Sequence, residues 1–247
     1  MLNKDLNIVL ISQARMGSTR FPGKVLEKVG HETLLKVHLD RICRSKLISS
    51  FVVATTENPE DKVIEDYVNS LDFKVFRGSE TNVLKRYYEC AKKYNADYIV
   101  RVTSDCPLID VELIDEVIYN TVSEGADYGS NTLEETFPDG VDVEVFKMDV
   151  LNKALLFAVN EKEQEHVTPY MKNRISNQEN GFTSYSLTSD LDYGMIRLTV
   201  DERSDLEVIK VLIEKVGKYA SWKEYSDYYI SNHLARINGN IVRNAGY

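Results

Sequence analysis

Residues 13–24, Gln13-Ala-Arg-Met-Gly-Ser-Thr-Arg-Phe-Pro-Gly-Lys24, gather three cations, two glycines and two hydroxyls into one short stretch. Backbone NH groups, guanidinium forks and an ammonium are the groups that wrap a polyphosphate. The stretch is not a Walker A loop. That motif needs four residues between its glycines and a hydroxyl residue after the lysine, whereas five separate Gly17 from Gly23 and Val25 follows Lys24. A solvated basic loop is the plain alternative. A second candidate is Thr103-Ser-Asp-Cys-Pro-Leu108, with Asp105 at the carboxyl end of an expected strand. A carboxylate there can hold a divalent ion that also binds substrate phosphates. Mg2+ takes one or two protein carboxylates and fills its remaining sites with phosphate oxygens and water. Asp201, in Asp201-Glu-Arg-Ser-Asp205, offers a second carboxylate at another strand end. The competing reading makes Asp201 or Asp205 a helix cap.

Two further groups could meet a second substrate. Asp142 and Glu144 alternate with Val141, Val143 and Val145, so a strand sets both carboxylates on one face and the valines on the other. That face binds acceptor hydroxyls or meets water. Glu165 and His166 are adjacent in Gln164-Glu-His-Val-Thr-Pro-Tyr170. They touch substrate, or stand on the surface as a lone histidine in a polar helix usually does.

Positioning these groups falls to an alternation of strands and helices. The continuous β-branched run 6–12 reads as a strand buried on both faces. A helix over 33–43 carries Leu34, Leu35, Val37, His38, Leu39 and Ile42 at near-helical spacing, and strand 51–55 completes a β-loop-α-β unit. Asn58 caps the next helix and Pro59 opens it, with Val63, Ile64, Tyr67, Val68 and Leu71 as its apolar stripe. Strand 74–76, helix 82–94, strand 98–103, helix 111–123 capped by Asp110, and strand 126–130 follow. Such alternation implies a doubly wound α/β sheet with right-handed connections. Ligands of such sheets sit beyond the carboxyl ends of the strands, which singles out the loops after Ser12, Thr55, Phe76 and Thr103.

After residue 130 the rhythm changes. Segment 140–146 alternates, 149–160 and 161–173 read as helices, and 183–187 and 195–200 as strands. Helices over 204–216 and 221–234 close the chain, the second opened by a Ser221-x-x-Glu224 capping box. Trp222, Tyr225, Tyr228 and Tyr229 give that helix an aromatic face for packing or a subunit contact. There is no internal repeat and no linker, so one domain is expected over 1–247.

Composition narrows the function classes. Of 247 residues, 43% are hydrophobic and 28% charged, an ordinary globular balance. The formal charge of −9 disfavours a nucleic-acid binder and makes any phosphate site local. Cys43, Cys90 and Cys106 are too few and scattered for a disulfide framework or a paired metal motif, so a reduced cytoplasmic compartment is expected, with Cys43 and Cys90 as buried small hydrophobes. No run approaches a membrane span and no apolar leader precedes residue 7, so a soluble, unprocessed chain is expected.

The 13–24 stretch resembles the signature of the nucleotide-monophospho-sugar cytidylyltransferases, the group of CMP-Kdo and CMP-sialic acid synthetases. It is most similar to the spore-coat polysaccharide biosynthesis branch. Segments 77–86 (RGSETNVLKR), 104–110 (SDCPLID), 137–146 (FPDGVDVEVF), 165–170 (EHVTPY) and 197–206 (RLTVDERSDL) carry the same resemblance. It implies a Rossmann-like, mostly parallel sheet with a small β-rich excursion, CTP as donor, Mg2+ as cofactor, a sugar or phosphorylated polyol as acceptor, and a homodimer. Residues 1–130 would bind nucleotide, 131–200 the acceptor and a second subunit, and 201–247 would close the domain.

Carried onto this sequence, the resemblance places Arg15 and Lys24 on the triphosphate, with the backbone at Gly17 and Ser18 around it. Gln13, Ala14, Arg77, Gly78, Ser79, Arg86 and Ser104 join the nucleotide contacts, and Asp105 and Asp201 become the metal ligands. Arg15, Lys24 and Asp105 form the catalytic set; Asp142, Glu144, His166 and Arg197 meet the acceptor. Cys106 stands where the CMP-Kdo synthetases carry an acidic residue, which leaves the number of metals open. The expected reaction is in-line attack of an acceptor oxygen on the α-phosphorus of CTP, with pyrophosphate leaving. A hydroxyl acceptor needs deprotonation, and Asp142, Glu144 and His166 suit it. A phosphomonoester is already anionic, and Arg174 or Arg197 suits that case. A glycosyltransferase using a nucleotide sugar is the competing class, with Asp142-Val-Glu144 imitating its D-x-D metal motif.

Overall fold

The computed structural model describes residues 6–176, 181–241 and 243; the ends of the expected domain, 1–5 and 244–247, lie outside the described residues. The first apolar run forms β1 (Ile8–Gln13), and its side chains divide between two cores. Ile8 and Leu10 pack into one cluster, Val9 and Ile11 into the other. Apolar contact on both faces is why the run shows no alternation. β1 pairs in parallel with β4 (Ser50–Thr56) on one side and β6 (Tyr98–Thr103) on the other.

Between β1 and β4 the chain makes a loop, a 3-10 turn at Lys24–Leu26, and a small hairpin of β2 (Lys28–Val29) and β3 (Glu32–Thr33) that periodicity did not signal. Thr33 caps α1 (Leu34–Ile42), its hydroxyl accepting from Lys36 N at 3.1 Å. After β4, a 3-10 turn at Pro59–Asp61 leads into α2 (Lys62–Ser70) and β5 (Lys74–Gly78). Asn58 precedes that turn but makes no side-chain cap bond. Asn82 caps α3 (Val83–Lys93), and Asp110 caps α4 (Val111–Ser123), accepting from Glu112 N at 2.8 Å.

β7 (Tyr128–Ser130), β8 (Glu144–Lys147) and β9 (Ser184–Ser186) extend the same sheet, in the order β5-β4-β1-β6-β8-β7-β9. β8 runs antiparallel to both neighbours and the other pairings are parallel. The expected Rossmann-like α/β architecture is present, and the β-rich excursion is an extension of its sheet. The remaining helices are α5 (Met148–Phe157), α6 (Glu161–His166), α7 (Pro169–Ser176), α8 (Arg203–Val216), α9 (Trp222–Ser231) and α10 (Ala235–Asn238). α1, α2, α4, α8 and α9 cover one face of the sheet; α3, α5 and α7 cover the other. Among the described residues no helix is long and apolar enough to cross a membrane.

Four further local expectations change. The alternating segment 140–146 is a strand only from Glu144, because the preceding residues form a bend. Gly140 at φ 110 packs so closely there that a Cβ would lie 2.4 Å from Thr199 N. Segment 195–200 forms no regular strand and contributes one isolated bridge, Asp139 with Arg197. The helix expected over 161–173 is two helices, parted at Val167, whose φ of 70 no helix accommodates. Thr168 N donates to His166 O at 2.8 Å across that residue, a three-residue turn. Cys43, expected to be buried, is exposed, while Cys90 and Cys106 are buried.

Candidate active site

The loop after β1 closes on Met16. Ser18 N and Gly23 N both donate to Met16 O at 2.9 Å, and Met16 N donates to the buried Asp61 carboxylate at 2.6 Å. Gly23 sits at φ 72, a left-handed conformation that glycine adopts without strain. The 3-10 turn that follows delivers Lys24, only 8% exposed, to the floor of a cavity of about 420 Å3.

Lys24 Nζ donates to Asp105 Oδ2 at 2.9 Å and to Asp201 Oδ1 at 2.8 Å. Asp105 follows β6, whose end is tied to β1 through Ser104: its backbone N and its hydroxyl donate to Gln13 O at 3.2 and 2.6 Å. Val200 N donates to Asp105 O at 2.8 Å and so brings the Asp201 segment alongside. From beneath, His38 lies between Ser12 Oγ at 2.9 Å and Cys106 O at 3.0 Å. Burial lowers its imidazole to about 4, so a neutral ring donates to the carbonyl and accepts from the hydroxyl.

Asp201 is not a helix cap. Glu202 is the N-cap of α8, and it forms a reciprocal capping box with Asp205. The Asp201 carboxylate is therefore free to face the cavity, where Arg197 at 2.8 Å and Arg20 at 3.1 Å join Lys24 around it. Arg197, expected on the acceptor, is off the cavity wall. It is enclosed by Asp139 at 2.6 Å, Asp201 at 2.8 Å and Asp205 at 2.9 Å, which makes it a positioning residue.

The cavity brings together Gln13, Ala14, Arg15, Ser18, Lys24, Arg86, Ser104, Asp105, Asp142, His166 and Asp201 of the expected set. Gly17 lies in the loop but not on the wall. Arg77 turns away and donates to Glu65, Thr56 O and Asn58 O. Gly78 and Ser79 act on the wall indirectly. A Cβ at Gly78 would meet the Arg86 stem at 3.0 Å, and Ser79 O accepts from Arg86 NH1 at 2.8 Å. Glu144 is not in the cavity. It lies buried on β8, bound by Arg101, by Lys172 at 2.9 Å, by Tyr128 OH at 2.7 Å and by Thr168 Oγ1 at 2.8 Å. Asp142 precedes β8 on the bend, so the two-residue period does not carry from one carboxylate to the other. With Glu144 withdrawn, the D-x-D imitation is gone. Arg174 lines a separate cavity with Lys153, Phe157, Tyr170 and Phe182.

Sequence reasoning passed over Arg20 and Asp139, both on the cavity wall. Arg20 was visible as the third cation of the loop, and Asp139 as the centre of Pro138-Asp-Gly140, a turn tripeptide. Phe137 beside it is held edge-on by Trp222 at 5.0 Å, which gives the aromatic face of α9 a packing role.

Charge is arranged unevenly along the cavity. Burial would raise the Asp105 carboxyl, but Lys24 and the Thr103 hydroxyl outweigh it and hold it at about 2. Burial would likewise raise Asp201, and Lys24 again outweighs it, keeping that carboxyl low. Lys24, which burial alone would neutralise, is pushed up by the same two carboxylates. Across Arg197 from Asp201, burial and the neighbouring Asp142 raise Asp139 to about 7, and burial raises Asp142 as well. Among the described residues Gln13 Oε1 and Arg86 Nε are buried without a hydrogen-bond partner, and both residues line the cavity.

Two carboxylates that meet on one ammonium also suit a hard divalent cation. Among the described residues no group of three or more His, Cys, Asp or Glu could hold a metal. A cation that shares phosphate oxygens needs only one or two carboxylates, and Asp105 and Asp201 fit that donor set.

Residues 8–233 match a family profile described as cytidylyltransferase. The chain is 40% identical over 205 residues to an uncharacterized protein of Methanocaldococcus jannaschii, covering 82% of each. It is 34% identical over 217 residues to the spore coat polysaccharide biosynthesis protein SpsF of Bacillus subtilis, covering 86% of this chain and 88% of that one. A solved cytidylyltransferase from Leptospira borgpetersenii superposes with a TM-score of 0.87 at 31% identity, covering 98% of this chain and all of the other.

Proposed function

The chain belongs to the cytidylyltransferase family and is a CTP-dependent nucleotidyltransferase, and from that premise we propose that it transfers CMP from CTP to a sugar or phosphorylated polyol with Mg2+ as cofactor. The observation that carries this reading is the junction of Asp105, Asp201 and Lys24 on the floor of a cavity rimmed by Arg15, Arg20 and Arg86.

Gln13, Ala14, Ser18, Arg86 and Ser104 line the nucleotide's share of the cavity, with Arg15 and Lys24 against the triphosphate. The acceptor oxygen attacks the α-phosphorus from the side of Asp142 and His166, in line with the leaving pyrophosphate. Arg15 and Lys24 stabilise the charge that builds on that pyrophosphate, in fixed positions that need no reorganisation during reaction. Mg2+ held by Asp105 and Asp201 would neutralise phosphate charge at the reacting centre. Arg197 keeps Asp201 aimed, and His38 keeps the Asp105 loop in place.

The same reading extends to one catalytic domain working as a homodimer, supported by the family resemblance, and to the cytoplasm, supported by three free cysteines. A role in surface polysaccharide synthesis is supported by the name of the Bacillus subtilis relative. Pyrophosphate release from CTP, UTP, GTP and ATP, measured with Mg2+ over a panel of sugars and polyol phosphates, tests the assignment. CTP-selective release that needs an acceptor supports it, and turnover of a nucleotide sugar instead would overturn it.

A further inference from the structure

Asp139 belongs to no expected set, yet it lies on the cavity wall beside Asp142, and its backbone is built into the segment that carries Asp201. Asp139 N donates to Ile196 O at 2.9 Å and Leu198 N donates to Asp139 O at 2.6 Å. Gly140 permits that approach, since any side chain there would strike Leu198 and Thr199. Asp139 Oδ2 accepts from Arg197 NH1 at 2.6 Å, while Arg197 NH2 donates to Asp201 Oδ2 at 2.8 Å. One guanidinium thus sets the two carboxylates side by side. Asp139 Oδ1 carries no hydrogen bond within the described residues.

We propose that Asp139 is the general base of the reaction, accepting the proton of a hydroxyl acceptor, so that the natural acceptor is an alcohol or hemiketal and not a phosphomonoester. This rests on the cytidylyltransferase reading. The acceptor O–H bond breaks as its proton passes to Asp139 Oδ1. The oxygen bonds the α-phosphorus, the bond to the β-phosphate oxygen breaks, and pyrophosphate leaves with that electron pair. Asp139 then loses its proton to water.

Two observations support the assignment besides its place. The groups facing Asp139 are Asp142 on its own bend, Arg197 and Asp201 on the adjoining segment, and Arg243 near the carboxyl end. Burial and Asp142 outweigh the two arginines and raise its carboxyl to about 7, where a base shifts between its forms near neutral pH. Moreover, neither arginine expected on a phosphomonoester is offered here: Arg197 is off the cavity wall and enclosed by three carboxylates, and Arg174 lines another cavity.

The test uses the whole protein with Asp139→Asn, whose amide oxygen still accepts from Arg197, and first requires CTP binding by calorimetry. Loss of CTP binding by the wild type would refute the family reading itself, and retained binding by the variant shows that its fold is intact. Carboxyl 13C NMR then follows Asp139 against pH, and pyrophosphate release is measured with 2-keto sugar acids and free polyols, and separately with glycerol 3-phosphate and sugar 1-phosphates. Titration of Asp139 near 7, with turnover of a phosphate-free acceptor that falls at least about a hundredfold in the variant, is the expected result. The pH profile of kcat/KM should lose its acid limb in the variant. Turnover of a phosphate-free acceptor that the variant retains to within a few fold overturns the proposal. So does phosphomonoester turnover at an equal rate in both proteins.

Discussion

Two buried ionic clusters, built from the same residue types, do opposite work. At the cavity floor Asp105 and Asp201 share one ammonium, with Arg197 and Arg20 also on Asp201, and both carboxylates stay partly exposed on the cavity wall. On β8, Glu144 meets two cations and two hydroxyls that leave it nothing to offer a ligand. Asp142 and Glu144 lie two residues apart, and only Asp142 reaches the cavity. A carboxylate's use is decided by whether its surroundings leave it on a cavity or enclose it, and a spacing pattern does not record that.

The largest effect should come from the open cluster. Asp105→Asn is expected to lower CTP turnover at saturating Mg2+ by about a thousandfold, in line with the several kcal/mol that metal-assisted charge stabilisation supplies. Thermal unfolding should stay close to wild type, because the lost charge borders a cavity. A variant with wild-type turnover would remove the distinction between the clusters.

Glu144→Gln should do the reverse. It removes the charge that Arg101 and Lys172 pair with, and urea unfolding should show a loss of about 3–5 kcal/mol, the usual effect of removing one partner of a buried ion pair. CTP affinity should change little. Burial would raise the Glu144 carboxyl, but Lys172 and Arg101 hold it well below the usual range. A depressed folded value means the stabilisation is complete above an ordinary glutamate value of about 4.3 and is lost as the pH falls further. The gap between variant and wild type should therefore narrow only in acid below that value.

Arg77 gives the smallest effect and sharpens the boundary of the site. It is bound to Glu65 and two backbone carbonyls, so Arg77→Ala should cost about 1 kcal/mol of stability and shift the CTP dissociation constant by less than about threefold in calorimetry. A large loss of affinity would return Arg77 to the nucleotide contacts.

The sequence made the nucleotide half of the molecule legible because its signals are local. The β-branched run of β1, the caps Asn82 and Asp110, and the crowded loop ending at Lys24 each announce themselves within a few residues. The acceptor half depends on long-range approach. The bend at Gly140 exists to fit against Thr199, and the roles of Asp139, Glu144 and Arg197 follow from partners as far as 58 residues away in sequence. Alternation read as a strand was cut short there by a backbone contact that periodicity cannot express. The break at Val167 was hidden in the same way, since a β-branched residue gives no warning of positive φ.

Calorimetric titration with CTP, in Mg2+ and again in EDTA, for wild type and Asp105→Asn, addresses the central claim most directly. The account predicts CTP binding that exceeds that of UTP, GTP and ATP and weakens in EDTA or in the variant. Equal binding of all four nucleotides, unaffected by EDTA and by the substitution, would contradict it.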